Sequence, residues 1–437
     1  MKYAVLFTFL LFSVFSGYSQ RLLTDVVDTI VLKGRQVKII DDEVSNLSFS
    51  GYMQPQFQVA QQKGVDADYQ GGAFAENSDN RFRLRRGRLR ADYVHFHKDG
   101  SPSTFFVFQF DGTEQGVNIR DFWGRYYENK LHLFSLTAGV MARPFGFELQ
   151  LSSSQREAAE RGRMSQILMK TERDLGVELS VNPRKAKNFL KHVQLDFAIY
   201  NGQGLSGPRE FDNKKDIVTR LSAKPVEIAP LNNLTIGGGI SALLGGIVSE
   251  APEYYAMQQT GNTWGMQLQS GDNNQKFAPR KYYGADIAIE TASKNWKTEM
   301  RAEYIFGLQT GTKDHSSTPG SYPVNNNIKQ PLYTRPFDGA YFNLVQNIAG
   351  EKNQLVLKYD WYDPNTKVSG REIHKTYGLS KADIRYNTIG MGFLKHINNH
   401  LKILFWYDHI RNEATSIAGF EQDVKDNIFT LRTQFMF

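Results

Sequence analysis

The chain has 437 residues with 52 basic and 45 acidic side chains, a formal charge of +7, and no cysteine. The missing thiols exclude a disulfide framework, thiolate metal sites and a lipid-modified cysteine anchor. Aromatic residues at 13% sit beside a low mean hydropathy of −0.46, which suits a sheet that is apolar on one side and wet on the other.

The first segment, "MKYAVLFTFLLFSVFSGYSQ", has one lysine, an apolar run from Ala4 to Phe15, and the small residues Gly17 and Ser19 before Gln20. That run is short of the roughly 20 residues a helical membrane span needs. It reads as a secretory signal peptide, 1–19, removed after Ser19. Residues 20–46 read as an N-terminal periplasmic extension. Beyond them no stretch approaches 18 consecutive apolar residues, so helical spans are excluded.

From residue 47 the pattern is period-two alternation. In "TEMRAEYIF", Met300, Ala302, Tyr304 and Phe306 share one parity against Glu299, Arg301 and Glu303. In "NQLVLKYDWY", Leu355, Leu357, Tyr359 and Trp361 oppose Lys358 and Asp360, and "FTLRTQFMF" repeats the pattern at 429–437. Alternate strand residues face opposite sides, so each segment has one apolar and one polar face. Sixteen such segments are expected: 47–60, 81–97, 103–112, 118–128, 131–141, 174–182, 191–201, 215–224, 232–242, 281–290, 297–307, 338–348, 353–362, 384–393, 400–411 and 427–437.

The connections alternate too. "KDGSP", "NK", "TASKNW", "AGEK" and "LKHINN" are short, whereas 61–80, 142–173, 243–280, 308–337, 363–383 and 412–426 are long. Segment 113–117 is short where a long one is due. Short turns on one side and long loops on the other predict an all-β fold: a transmembrane antiparallel up-and-down β-barrel of about 16 strands over 47–437.

Residues 81–90, "RFRLRRGRLR", hold six arginines. Arg86, Arg88 and Arg90 share one parity; Arg81, Arg83 and Arg85 have the other, so a bulge, or entry from the loop, is expected at Arg85–Arg86. Same-face neighbours lie about 6.6 Å apart and repel by about 0.6 kcal/mol in water or about 2.5 kcal/mol at an effective dielectric of 20. On the lipid face each would cost about 2–4 kcal/mol near the midplane. They are therefore expected in a wet lumen, either as an anion-selecting row or balanced by acids on facing strands.

Arg125, Arg220, Lys224, Lys358, Lys402 and Arg432 fall on lumen parities, interspersed with Asp121, Asp216, Asp286, Glu290 and Asp360. Connection 142–173 has helix-like composition and charges of both signs. It is a candidate constriction if folded inward and a solvated loop if not.

Nine scattered histidines with no serine motif give no basis for catalysis, so no enzyme activity and no cofactor or metal is expected. The signal peptide exports the arginine run away from nucleic acid.

Taken in order, "RRGRLRADY", "IRDFW", "AGVMARPFGFELQLSSS", "ERGR", "RDLGVELS", "FAIYNGQG", "KDIVTRLSAKP" and "LKYDWYDPN" resemble the phosphate-selective porin O/P family over roughly 50–437. The resemblance implies a sixteen-stranded, commonly trimeric outer-membrane barrel in Gram-negative bacteria. Its arginine-lined route and inward third loop would serve phosphate or related anions. It assigns Arg86, Arg88 and Arg90 to the arginine-rich strand, and Arg143 and Arg161 to the third-loop region. With Arg125 and Arg220, these form the candidate anion pathway. The open alternatives are a general non-selective porin, and a structural or secretion-associated barrel that binds partner proteins.

Overall fold

The structure, a computed structural model, describes residues 46–206, 210–228, 233–293 and 296–437. The expected signal peptide 1–19 and residues 20–45 of the expected extension lie outside them.

Chain order begins with β1 (Leu47–Ala60), β2 (Asn80–Phe96), β3 (Pro102–Thr113), β4 (Gly116–Tyr127) and β5 (Phe134–Ala142). A short helix α1 (Arg163–Leu168) precedes β6 (Arg173–Val181), β7 (Val193–Tyr200), β8 (Asp216–Glu227) and β9 (Leu234–Val248). A loop hairpin, β10 (Tyr254–Thr260) and β11 (Thr263–Leu268), leads to β12 (Phe277–Ser293) and β13 (Trp296–Gly311). After the two-residue strands β14 (Val324–Asn325) and β15 (Ile328–Lys329) come β16 (Leu332–Asn347) and β17 (Asn353–Asp363). The last three are β18 (Tyr386–Asn398), β19 (Leu401–Asn412) and β20 (Ile428–Met436).

Sixteen of these strands, all but β10, β11, β14 and β15, pair antiparallel with their neighbours in a ring. β20 closes it against β1, from Ala60 opposite Ile428 to Tyr52 opposite Met436. Closure leaves no open strand edge in the wall, as a hydrocarbon environment requires. Each of the sixteen expected segments falls on one of these strands.

The two faces are inverted relative to a soluble protein. On β17 the apolar Leu355, Leu357 and Tyr359 are exposed while Lys358 and Asp360 are buried. On β3 Phe106, Phe108 and Phe110 are exposed and Gln109 is buried. Apolar outward and polar inward is the arrangement of a barrel standing in lipid. Near the long-loop end, five outward rings form a continuous shelf: Tyr283–Phe306 (5.7 Å), Phe306–Tyr304 (5.8 Å), Tyr304–Trp361 (6.4 Å) and Trp361–Tyr359 (5.9 Å). Tyr304 Oη and Trp361 Nε1 both donate to the outward Asp338 carboxylate. Amphipathic rings with a polar partner mark the edge of the hydrocarbon layer.

The wall is uneven in height. β12 has 17 residues and β7 has 8, and β9, β12, β13 and β16 rise into 243–248, 277–280, 308–311 and 332–337, which the alternation alone assigned to loops. Above them β10 and β11 pack on 364–385 around Met266, Val368, Ile373, Leu379 and Ile384. Arg335 and Asp383, both fully buried, pair inside this cap at 2.8 Å. On the long-loop side β3 and β4 are joined by only Glu114 and Gln115.

The arginine run lies wholly within β2. The register against β1 shifts between Met53–Gly87 and Pro55–Leu84, so the expected bulge is present. It corrects the alternative that the first half enters from the loop. By adding a residue the bulge restores facing: Arg81 bonds the buried Gln58, Arg83 pairs with Glu114, and Arg85 and Arg86 reach one carboxylate.

Candidate functional site

The connection 143–172 folds into the lumen and is fastened around it. At its start, Ser241 Oγ accepts from Gly146 N (3.1 Å), and the Glu303 carboxylate accepts from Phe147 N (3.0 Å) and Glu148 N (2.9 Å). Gly146 has φ +63°, and a Cβ there would collide with Glu303 Oε1, so this turn requires glycine on two grounds. At its far side Ala158 and Ala159 dock on an inward apolar patch made by Val345, Val356, Leu394, Leu404 and Trp406. The loop then returns through α1, whose Met164, Ile167 and Leu168 join the main core with Phe337, Tyr341 and Tyr362. The Arg163 guanidinium lies over Tyr69 (4.4 Å) and Tyr386 (3.7 Å).

Charged latches complete the fastening. Glu157 takes both Nη atoms of Arg301 at 3.0 Å, Glu148 takes Lys358 at 2.6 Å, and Lys402 donates to the Ser154 carbonyl at 2.6 Å. Glu160 is a hub that accepts from Arg86 (2.6 Å), Arg432 (2.7 Å) and Arg85 (2.9 Å). These partners come from β2, β13, β17, β19 and β20, so the loop is held to that arc of wall.

Every expected pathway arginine has a carboxylate neighbour. Arg86 pairs with Glu160, Arg88 with Asp111 (3.1 Å) and Arg90 with Asp92 (2.8 Å). Arg125 donates to Thr137 Oγ1 (2.7 Å) and lies 3.6 Å from Glu178. Arg143 pairs with Asp174 (2.7 Å), Arg161 with Glu172, and Arg220 with both oxygens of Asp286 (2.5 and 2.9 Å). The row on β2 is thus neutralised locally rather than free.

The pairing is nonetheless unequal. Asp111 also faces Arg120 (3.6 Å), Glu172 also takes Arg120 (2.7 Å) and Arg173 (3.2 Å), and Asp121 takes Arg173 (3.1 Å). Arg156 lies 3.9 Å from the already shared Glu160. Eight arginines (85, 86, 88, 120, 156, 161, 173 and 432) therefore share four carboxylates, a formal excess of +4. Arg156 is 6% exposed and none of its three guanidinium nitrogens has a hydrogen-bond partner. A buried guanidinium left in that state is costly unless something else meets it.

The cluster takes in Arg86 through Glu160, and Arg88 and Arg161 through Asp111 and Glu172, as two neighbouring sets with no carboxylate common to both, whereas Arg90, Arg125, Arg143 and Arg220 bond separately. It also contains Arg85 and Arg120, which no sequence argument placed on the pathway, and Arg156 and Arg173, which the sequence marks only as charges of the candidate constriction 142–173. Arg156 shares Glu160 four residues on and Arg173 adjoins Glu172, but Arg85 reaches Glu160 and Arg120 reaches Glu172 across 75 and 52 positions, pairings that no local spacing announces.

On the opposite arc a small cavity of about 50 Å³ lies between the start of the loop (Pro144, Phe147 and Gln150) and β8, β9 and β12. Its charged lining is Asp196, Asp286, Glu290 and Glu299 against Arg220 and Lys224.

The chain matches no protein-family model and no curated protein. Its fold is similar to solved structures. With the outer membrane channel DcaP of Acinetobacter baumannii it shares 14% identity at a TM-score of 0.52, over 90% of this chain and 97% of that one. With Pseudomonas putida OprB the values are 10% and 0.55, over 90% and 94%. Likeness at these identities is likeness of fold: this chain has the sixteen-stranded architecture of an outer-membrane porin.

Proposed function

We propose that the chain is a passive diffusion porin of the Gram-negative outer membrane that prefers small anions such as phosphate. In this reading it is of the phosphate-selective porin O/P type, assembled as a homotrimer among outer-membrane lipids. The observation that carries the ion preference is the unequal pairing beside the inward loop, where eight arginines share four carboxylates and the Arg156 guanidinium has no hydrogen bond. Excess fixed positive charge in a low-dielectric wall lowers the energy of an entering anion and raises that of a cation. Guanidinium groups release such ions more readily when each is already held by a neighbour, which suits flux rather than storage.

Single-channel recording in a salt gradient tests this reading through Arg156→Gln. Because the Arg156 guanidinium makes no hydrogen bond, its loss leaves the loop latches intact, and anion preference is expected to fall. Unchanged selectivity in a folded variant would contradict the assignment to this cluster.

A second reading is a general porin for small polar solutes. The acid-leaning lining of the cavity beneath the loop, four carboxylates to two cations, favours it. Equal anion and cation permeability would select it.

A further inference from the structure

The short-turn rim of the barrel is electrically lopsided. Three successive turns, 97–101, 128–133 and 182–192, carry six basic side chains (Lys98, Lys130, Arg184, Lys185, Lys187 and Lys191) against two acids, Asp99 and Glu128. The turns 348–352 and 399–400, across the barrel, hold one lysine and one glutamate between them. Both acids of the basic arc are engaged within their own turns. Asp99 accepts from Ser101 N (3.0 Å) and Oγ (2.6 Å), and Glu128 accepts from the amides of Lys130, Leu131 (2.6 Å) and Leu133 (3.4 Å). Among the described residues, no carboxylate pairs with a lysine of this arc.

The longest of the three turns, 182–192, is clamped to its neighbour. Arg184 N donates to His132 O (2.9 Å), Nη1 to Phe134 O (2.9 Å) and Nη2 to Glu128 O, while Asn182 N donates to Leu133 O (2.8 Å). Farther along, Asn188 Oδ1 accepts from Leu190 N (3.1 Å) and caps the short helical turn 189–192. Large apolar side chains are nonetheless left open among the lysines: Phe189 is 73% exposed, Leu131 70% and Leu190 42%. The wall above them is low, since β5 and β6 have nine residues and β7 has eight. At about 3.3 Å per residue and a tilt of about 40°, eight residues rise about 20 Å, short of the roughly 25 Å apolar band of such barrels. The exposed apolar residues of the turns extend that band below the strands.

We infer that this arc of the periplasmic rim binds anionic phospholipids of the inner leaflet, with Lys185, Lys187 and Lys191 on the headgroup phosphates and Leu131, Phe189 and Leu190 in the acyl layer. Basic residues interspersed with apolar ones hold protein to an anionic lipid surface, and each lysine beside such a surface contributes about fivefold in association. A soluble acidic polymer would satisfy the lysines and leave the three apolar side chains in water. The inference needs the barrel in its membrane and is independent of what the lumen conducts.

Native mass spectrometry of the full-length protein in detergent, with equal amounts of phosphatidylglycerol and phosphatidylcholine of the same acyl chains, tests it. The parent chain is expected to retain phosphatidylglycerol at least fivefold over phosphatidylcholine. K185Q/K187Q/K191Q should bring that ratio within twofold of one, whereas K352Q/K395Q, on the opposite arc, should leave it unchanged. All five lysines are exposed with unbonded side chains, so the substitutions leave the barrel's hydrogen bonds intact. F189S/L190S should lower retention of both lipids together, and unchanged retention there would overturn the acyl contact. No preference in the parent, or the same preference in K185Q/K187Q/K191Q, would overturn the headgroup site. Binding of the parent to peptidoglycan sacculi, lost in the lysine variant and without any lipid preference, would assign the arc to the wall polymer instead. A non-conducting protein that still selects phosphatidylglycerol would remove the channel reading and leave this one standing.

Discussion

Arg220 on β8 and Asp286 on β12 pair across the intervening strand β9, and the pair passes directly over Gly239. A Cβ at 239 would lie 2.8 Å from Arg220 Nη2 and 2.9 Å from Leu221 O. Gly239→Ala should therefore displace the guanidinium and lower stability. Part of that cost should vanish in an Arg220→Ala background, with a coupling of about 0.5–3 kcal/mol as for residues in direct contact. Urea unfolding of the four variants in detergent measures it. Equal cost in both backgrounds would mean the crossing places no demand on residue 239.

Glu160 holds Arg85, Arg86 and Arg432 together inside the barrel. Glu160→Gln removes the only carboxylate bonded to these three guanidiniums among the described residues, apart from long-range neighbours. Breaking a buried ion pair on one side typically costs about 3–5 kcal/mol. The temperature at which the compact band is lost on unheated-sample gels should drop accordingly. Glu160→Gln melting with the parent chain would contradict the hub.

The facing of β3 predicts opposite outcomes for two adjacent residues. Phe108 points outward and Gln109 is buried on the inward face. Phe108→Arg should cost about 2–4 kcal/mol in refolding into lipid vesicles, the penalty for arginine near the bilayer midplane. Gln109→Arg should be milder, because position 109 faces the polar lumen rather than lipid, even though Asp121 opposite on β4 is already paired with Arg173. A milder effect at 108 than at 109 would invert the barrel wall.

The cap above the barrel depends on Arg335, whose Nε donates to Asp383 while Nη1 and Nη2 donate to the carbonyls of Thr312 and Lys313. Asp383→Asn leaves a buried cation without its counter-charge. We expect faster proteolytic cutting within 249–276 and 364–385 in intact cells, with the barrel core still resistant. Unchanged cutting would show that the cap is held by its apolar cluster alone.

Much of this architecture is legible in the sequence because one rule governs the wall. Lipid demands apolar residues at every second position, and Leu355, Leu357 and Tyr359 obey it so plainly that facing follows from parity. The same rule flagged Arg85–Arg86, where parity switches, as either a bulge or a loop entry, and the register against β1 decides for the bulge. It fails at the top of the barrel, where strands leave the hydrocarbon: "SALLGGIV" on β9 no longer alternates strongly, though hydrogen bonding continues to Val248. It is silent on the lumen, where Glu160 finds Arg432 and Glu157 finds Arg301 across more than a hundred residues. Helix-like composition at 142–173 reported a local preference, realised only in α1; the inward position of the loop follows from latches on distant strands.

The ion preference is the central claim, and a zero-current potential across a planar bilayer with unequal potassium chloride on its two sides tests it most directly. The parent chain should give the sign of a channel in which chloride is more permeant than potassium. A potential of the opposite sign, with potassium the more permeant ion, would contradict the account.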